Sequence, residues 1–381
     1  MGISELTRNA VDVLPAGELE RKLTLGRPLR VKLGIDVTSP DIHIGRAVPL
    51  QRMRAFQDEG HVGVFIVGDY TTRIGDPSGR SAERPILSDE EIDRSAKTYL
   101  EQASTIIDPE RTEVRYNGEW LSTLSYADVV RLARTVTVAR MLERDDFAKR
   151  YAAREPISIS ELLYPLMQAY DSVAVRADVE LGGTDQLYNL LAGREVMQAY
   201  GLEPQVVLTT PLLLSWDGLK MSSSVGNNIP LALEPEEQFG RTMRISDGQL
   251  GEWYALVLER ELPAGDPLEL KLELARRIVA RSHGDEAARR AEAHFTRVVR
   301  QGRAPQYVPE LALPEGDPLH LPALLVDHLG VASTSEARRL IGQGAVKVDG
   351  EVVSDLDLAR GRLDGALVQA GKRRFARFRA A

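Results

Sequence analysis

The chain has 381 residues, enough for two or three domains, and its 43% hydrophobic and 27% charged residues are those of a globular protein with a sizeable core. The absence of cysteine excludes disulfides, thiolate catalysis and cysteine-ligated zinc, and six scattered histidines give no support to a histidine-built metal centre. A net charge of −8 argues against indiscriminate nucleic-acid binding by the whole surface, and no apolar run is long enough to cross a bilayer or to form a signal peptide in "MGISELTRNA", so a cytoplasmic protein is expected.

In chain order, "LRVKLGID" reads as a strand and "GRAVPLQRMRAFQDEG" as a helix closed by Gly60. "HVGVFIVGD" is a second strand, running into the glycine-rich turn "RIGDPSGR". The stretch "SDEEIDRSAKTYLEQASTII" is a helix with Ser88 as N-cap and acids in its first turn. "TEVRYNGEW" is the next strand, followed by helices through Arg150. "ISELLYPLMQAYDSVAV" is helical with Ser160 as its cap, and "VELGG", a helix from Asp185 and "PQVVLTTPLLL" continue the alternation. Strands separated by helices predict a mainly parallel sheet covered on both faces, a Rossmann-like α/β domain over residues 1–228.

From about Leu231 the strand signals fade, and residues 229–304 read as an α-helical domain. There "PLELKLELARRIVARSHG" and "DEAARRAEAHFTRVVRQG" are two helices, Gly284 ending the first and Asp285 capping the second. The proline-rich run at 305–318 breaks periodicity and reads as a linker. Residues 319–381 predict a small α+β module. From Glu336 onward ten lysines and arginines outnumber six acids, which suits a local polyanion contact or, more blandly, a solvated charged face.

Three stretches carry candidate chemistry. In "KLGIDVTSPDIHIGR" glycines allow close backbone approach, Thr38 and His43 offer side-chain donors, and a helix beginning here would aim free N–H groups at an anion. His43 could equally cap or pack. In "DGLKMSSSVGN", Lys220 is a point charge suited to phosphate and Ser222, Ser223 and Ser224 supply hydroxyls, although a serine run also suits a plain solvated loop. In "YPLMQAYD", helical spacing puts Tyr164, Gln168 and Asp171 on one face, for which core packing and a surface acid are the alternatives.

The histidine and serine loops together resemble the HIGH and KMSKS motifs of class I aminoacyl-tRNA synthetases. "YPLMQAYD", with "GDYTTRIGDPSGR" before it and "VELGGTDQLYNLLAGRE" after it, resembles the tyrosyl-tRNA synthetases of the bacterial type over essentially the whole chain. The tail resembles the small RNA-binding module shared with a ribosomal small-subunit protein. This resemblance implies a tyrosine–tRNA ligase that uses ATP with Mg2+, forms tyrosyl-adenylate and charges tRNA(Tyr), and works as a homodimer. It implies that Tyr164, Gln168 and Asp76 hold the tyrosine ammonium, that Asp171 accepts from the phenol, and that Gln186 lies near the carboxylate. Asp185 and Gly183 would meet the ATP ribose, with Gly34, Gly45, Met221 and Ser222 also lining the nucleotide. His43, Thr38 and Lys220 would face the phosphates. Arg80 and Arg84 would reach pyrophosphate or tRNA, or else are ordinary surface arginines.

The sequence departs from that pattern in three places. Arg46 replaces the last histidine of the HIGH-like motif, and an arginine cannot copy a neutral imidazole. Ser223 replaces the second lysine of KMSKS, removing a cation that Arg46 would partly restore at the catalytic phosphates. Lys32 stands where many tyrosyl enzymes carry a tyrosine beside the phenol. Two alternatives therefore stay open: a ligase for another aromatic amino acid, and a catalytically weakened paralogue that binds RNA through its tail.

Overall fold

The computed structural model describes residues 2–75, 88–223, 225–305, 308–372 and 374–380. They form two compact units, Met1–Glu234 with Arg241–Leu274, and Pro235–Gly240 with Ala275–Ala381.

The first unit is built on a six-stranded sheet of β1 (Asp12–Leu14), β2 (Arg30–Ile35), β3 (Val62–Val67), β4 (Thr112–Tyr116), β5 (Val179–Gly183) and β6 (Val206–Thr210), in the order β1-β6-β5-β2-β3-β4. β2 to β6 run parallel, whereas β1 pairs antiparallel with β6. That edge strand was not expected from the sequence. Its partner lies almost two hundred residues away, and three residues are too few for an alternation to register. The central strands are buried on both faces and mostly apolar, as a parallel sheet covered by helices requires. In β3, Phe65 and Val67 join a core with helix α1 (Ile44–Asp58) and helix α2 (Asp89–Ala103), while Val64 and Ile66 pack on the opposite face with Val175, Ala177 and Trp120.

Helix α3 (Gly118–Leu121) begins inside the stretch expected as strand, so the fourth strand ends at Tyr116. Helix α4 (Tyr126–Ala133) and helix α5 (Ile159–Val175) each open with a capping box. The cap of α5 is Ser158, not Ser160: Ser158 accepts from Glu161 N, and the Glu161 carboxylate accepts from Ser158 N at 2.9 Å. The box needs a Glu three residues after the cap, which Ser160 lacks. Asp185 lies in a 3-10 turn, Thr184–Gln186, and helix α6 begins after it at Leu187, running to Ala199.

In the second unit, Gly284 (φ 85°) is the N-cap of helix Asp285–Phe295, so Asp285 is a first-turn acid rather than the cap. Within the proline-rich run expected as linker, Glu310–Ala312 forms a strand that pairs parallel with Arg374–Arg379 at the edge of a five-stranded sheet. Helices Leu321–Leu329 and Thr334–Gly342 cover that sheet around a core that includes Leu325, Ile341, Val368 and Phe378. Among the described residues no helix is long and apolar enough to cross a membrane.

Candidate active site

The chain runs from β2 outward through β3 to β4, then returns to lay β5 and β6 on the other side of β2. The crevice at the carboxyl ends of β2 and β5 is therefore the switch point at which open α/β sheets hold ligands. Gly34, Thr38, Gly183, Asp185 and Gln186 all fall on these two strands or the loops beyond them.

Past β2 the chain enters α1 at His43, which occupies the N-cap position without making a side-chain cap bond. The ring is buried, and Nδ1 meets no hydrogen-bond partner among the described residues. Burial first, then the charges of Arg46 and Lys220, pushes its pKa down from 6.5 to about 3, so His43 is a neutral imidazole. No acid stands in the first turn of α1, which leaves that end of the helix open to an anion. A Cβ at Gly45 would come within 3.2 Å of His43 Nδ1, tighter than ordinary contact. Arg46 reaches across to α2 and donates to the Tyr99 hydroxyl at 3.1 Å. Tyr99 in turn stacks on Phe65 of β3.

The serine loop is joined to the histidine loop through backbone. Ile44 N donates to Ile229 O at 3.0 Å, Leu231 N donates to Ile42 O at 2.7 Å, and His43 and Pro230 form an antiparallel bridge. Lys220 Nζ donates to Asp185 Oδ2 at 2.5 Å, so two residues singled out separately meet across the crevice. Asn227 shapes the turn: its Oδ1 accepts from Ser222 N at 2.8 Å, and its Nδ2 donates to Asp217 Oδ2 at 3.0 Å and Lys220 O at 3.2 Å. Ser223 Oγ accepts from Asn228 Nδ2 at 3.1 Å, and Met221 is buried.

On the other side of the crevice, Tyr164 and Asp171 of α5 are buried and Gln168 is partly so. Tyr164 donates its hydroxyl to Asp36 Oδ2 at 2.9 Å, and Asp36 Oδ1 accepts from Thr71 Oγ1 at 2.7 Å. Asn117 Nδ2 donates to Thr71 Oγ1 at 3.0 Å and reaches Asp171 Oδ2 at 3.4 Å. Trp120 Nε1 donates to Asp171 Oδ1 at 2.8 Å. Burial raises the Asp171 pKa from 3.8 to about 7 against the opposing pull of Lys32, Trp120 and Asn117. Gln168 and Gln186 come together through Asn189, whose Nδ2 donates to both side-chain oxygens, at 3.1 and 2.9 Å. Arg144 orients that asparagine by donating to its Oδ1 at 3.1 Å.

Asp76, Arg80, Arg84 and Ser224 lie outside the described residues. Asp36, Thr71, Tyr99, Asn117, Trp120, Arg144, Asn189 and Asn227 were not singled out from the sequence. Only Asp36 carried a usable signal, an acid directly after an apolar strand. Apart from Asn189, which meets Gln186 three residues away and Gln168 twenty-one away, the others act across 35 to 54 residues of chain or within loops of no periodicity.

The family described as tRNA synthetases class I (W and Y) matches residues 24–304, and the S4 domain matches residues 321–357. The fold and the paired loops thus define a class I aminoacyl-tRNA synthetase. The chain is 48% identical to the tyrosine–tRNA ligase of Moorella thermoacetica, over 98% of this chain and 94% of that one. It is 46% identical to the tyrosine–tRNA ligase of Thermotoga maritima, over 98% and 96%. The tyrosyl-tRNA synthetase of Archaeoglobus fulgidus, solved with L-tyrosine, superposes with a TM-score of 0.62 at 25% identity, over 76% of this chain and 98% of that one. The chain belongs to the tyrosine–tRNA ligase family.

Proposed function

We propose that this crevice activates tyrosine with ATP, giving tyrosyl-adenylate and pyrophosphate, and then passes the tyrosyl group to the 3′-terminal ribose of tRNA(Tyr). The observation that carries the reading is the buried Asp171 carboxylate, held by Trp120 and Asn117 beside Tyr164 and Gln168. A carboxylate so placed accepts from a phenol hydroxyl and is left one donor short by phenylalanine, an effect for which tyrosyl-tRNA synthetases are themselves the standard example. Tyr164, Gln168 and Asp76 hold the α-ammonium, and Gln186 lies by the carboxylate.

The nucleotide lies over α1. Gly34, Gly45, Gly183, Asp185, Met221 and Ser222 line it, and magnesium enters with its phosphates. The tyrosine carboxylate attacks the α-phosphate in line, which needs neither a protein acid nor a covalent enzyme intermediate. Charge developing on the phosphates is met by His43, Thr38, Arg46, Lys220 and Ser223, and by the positive end of the α1 dipole, with Arg80 and Arg84 at the leaving pyrophosphate. To do this Lys220 leaves Asp185, and the carboxylate it releases is then available to the ribose. In the second step the adenylate is the acyl donor, and AMP leaves as the ribose hydroxyl takes the tyrosyl group.

Residues 1–228 are assigned to catalysis, 229–304 to the anticodon side and 319–381 to RNA binding, with 305–318 between them. The active form is a homodimer. Tyr126, Tyr151 and Ile159 of the first unit expose 85%, 67% and 77% of their surface, apolar area that a second copy of the chain would cover. Sedimentation equilibrium is expected to give twice the chain mass, and a monomer at micromolar concentration rejects the dimer. Pyrophosphate exchange with ATP tests the activity: tyrosine alone among tyrosine, phenylalanine and tryptophan should support it. Exchange with another aromatic, or with none, rejects the reading.

A further inference from the structure

The core of the first unit contains a charged pair that the reaction does not use. Lys32, mid-strand in β2, and Glu180 in β5 have side chains exposed by 0% and 2%. All three ammonium protons are engaged, with Glu180 Oε1 at 2.7 Å, Ser172 Oγ at 2.7 Å and Gln168 O at 2.9 Å. The second oxygen of Glu180 accepts from Ser172 Oγ at 2.8 Å and from Gln205 Nε2 at 2.7 Å. Gly193 of α6 leaves room for this network, since a Cβ there would lie 2.5 Å from Gln205 Nε2.

An ion pair in such a place contributes little to stability relative to apolar residues of the same size. Its distinguishing property is direction. Two of the three acceptors of Lys32, Gln168 O and Ser172 Oγ, belong to α5 and flank Asp171 in sequence. The ammonium therefore grips the helix at the level of the phenol carboxylate and ties it to two strands. It is also the cation that acts on Asp171, and Glu180 is the anion that acts on it.

We infer that the buried Lys32–Glu180 pair is a positioning pair for the phenol end of the tyrosine pocket, fixing Gln168 and Asp171 in register and setting the preference for tyrosine over phenylalanine. The inference rests on the assignment of Asp171 to the phenol. Lys32 does not touch substrate; it acts through the helix and through the charge it places behind Asp171. At this strand position the chain places a cation that holds the helix carrying Asp171, rather than a neutral hydroxyl.

The test is pyrophosphate exchange on the full chain, with KM for tyrosine and for ATP measured separately and with phenylalanine as competitor. The variants are Lys32→Met and the double variant Lys32→Met/Glu180→Gln, which leaves no unpaired buried charge if the single change does not fold. For a folded variant, KM for tyrosine should rise about tenfold and the tyrosine-to-phenylalanine ratio of kcat/KM should fall about tenfold, with KM for ATP changed by less than about twofold. Added to Asp171→Asn, the Lys32 change should cost little more, because both act through one contact. A folded double variant with unaltered tyrosine KM and unaltered discrimination overturns the inference. If Asp171→Asn loses discrimination while the Lys32 variants keep it, the positioning role alone fails. If Asp171→Asn itself discriminates normally, the assignment of Asp171 fails and the inference falls with it.

Discussion

Asp171 and His43 leave their ordinary protonation ranges in opposite directions for one reason, the loss of water around a charge. For Asp171 the folded pKa of about 7 lies above its ordinary 3.8. Its contribution to stability is thus complete below 3.8 and lost as pH rises through about 7, while the ionised form that accepts from a phenol appears over the same rise. In the free enzyme, kcat/KM for tyrosine should therefore climb as pH passes through about 7, measured by exchange at saturating ATP, and Asp171→Asn should both lower it and flatten the climb. A flat wild-type profile from pH 6 to 8 would contradict this. For His43 the sign reverses: its folded pKa of about 3 lies below 6.5, so its contribution is present above pH 6.5 and is lost as pH falls towards 3. In the proposed reaction the neutral ring, which feels the charges of both Arg46 and Lys220, would offer the phosphates a hydrogen-bonding group without adding a third charge. Arg46 is anchored to Tyr99, and in the proposed reaction its charge acts on the same phosphates, so Arg46→Ala should slow adenylate formation by about tenfold or more in a single-turnover assay. An unchanged rate would remove Arg46 from the machinery.

At the scale of elements, what could be read from the sequence was what repeats along it. Helix α5 matches the expected segment end to end, because its apolar period continues through Pro165 and its face carries Tyr164, Gln168 and Asp171 together. The strands β2, β3, β5 and β6 were legible as apolar runs between helices. β1 and the strand at Glu310–Ala312 were not, since each has three residues and is held by a partner far along the chain. The same reason hid the donors around Asp171: Asn117 and Trp120 enter the site by the fold, not by spacing. The serine loop lies between these cases. Its lysine and serines were visible, but no spacing marks Asn227, which holds the turn through Ser222 N, Lys220 O and Asp217. Asn227→Ala should loosen the segment that carries Lys220 and raise KM for ATP about fivefold, as expected for one or two lost hydrogen bonds, with KM for tyrosine unaltered. Equal rises in both constants would point to general damage rather than to this loop.

Over the whole molecule, an acidic protein must bind a polyanion, and the distribution of charge decides how. The net charge of −8 opposes tRNA approaching at random, whereas the tail from Glu336 carries ten cations against six acids. Arg338 and Arg339 are exposed on the Thr334–Gly342 helix, and Lys347 is partly exposed on the strand Val346–Val348. All three fall within the stretch matched by the S4 domain. Each phosphate they neutralise releases counterion and steepens the fall of affinity with salt. Replacing all three by alanine should weaken tRNA binding and lower the slope of log K against log salt by about 2 to 3, or proportionately less where a side chain meets no phosphate. Tyrosine-dependent pyrophosphate exchange involves no tRNA, so it should stay at the wild-type rate while aminoacylation falls. The two assays on one variant separate an RNA contact from a folding defect, because a misfolded chain loses both. A triple variant with the wild-type salt slope would mean that the phosphates are met elsewhere, and that this basic face is only a solvated one.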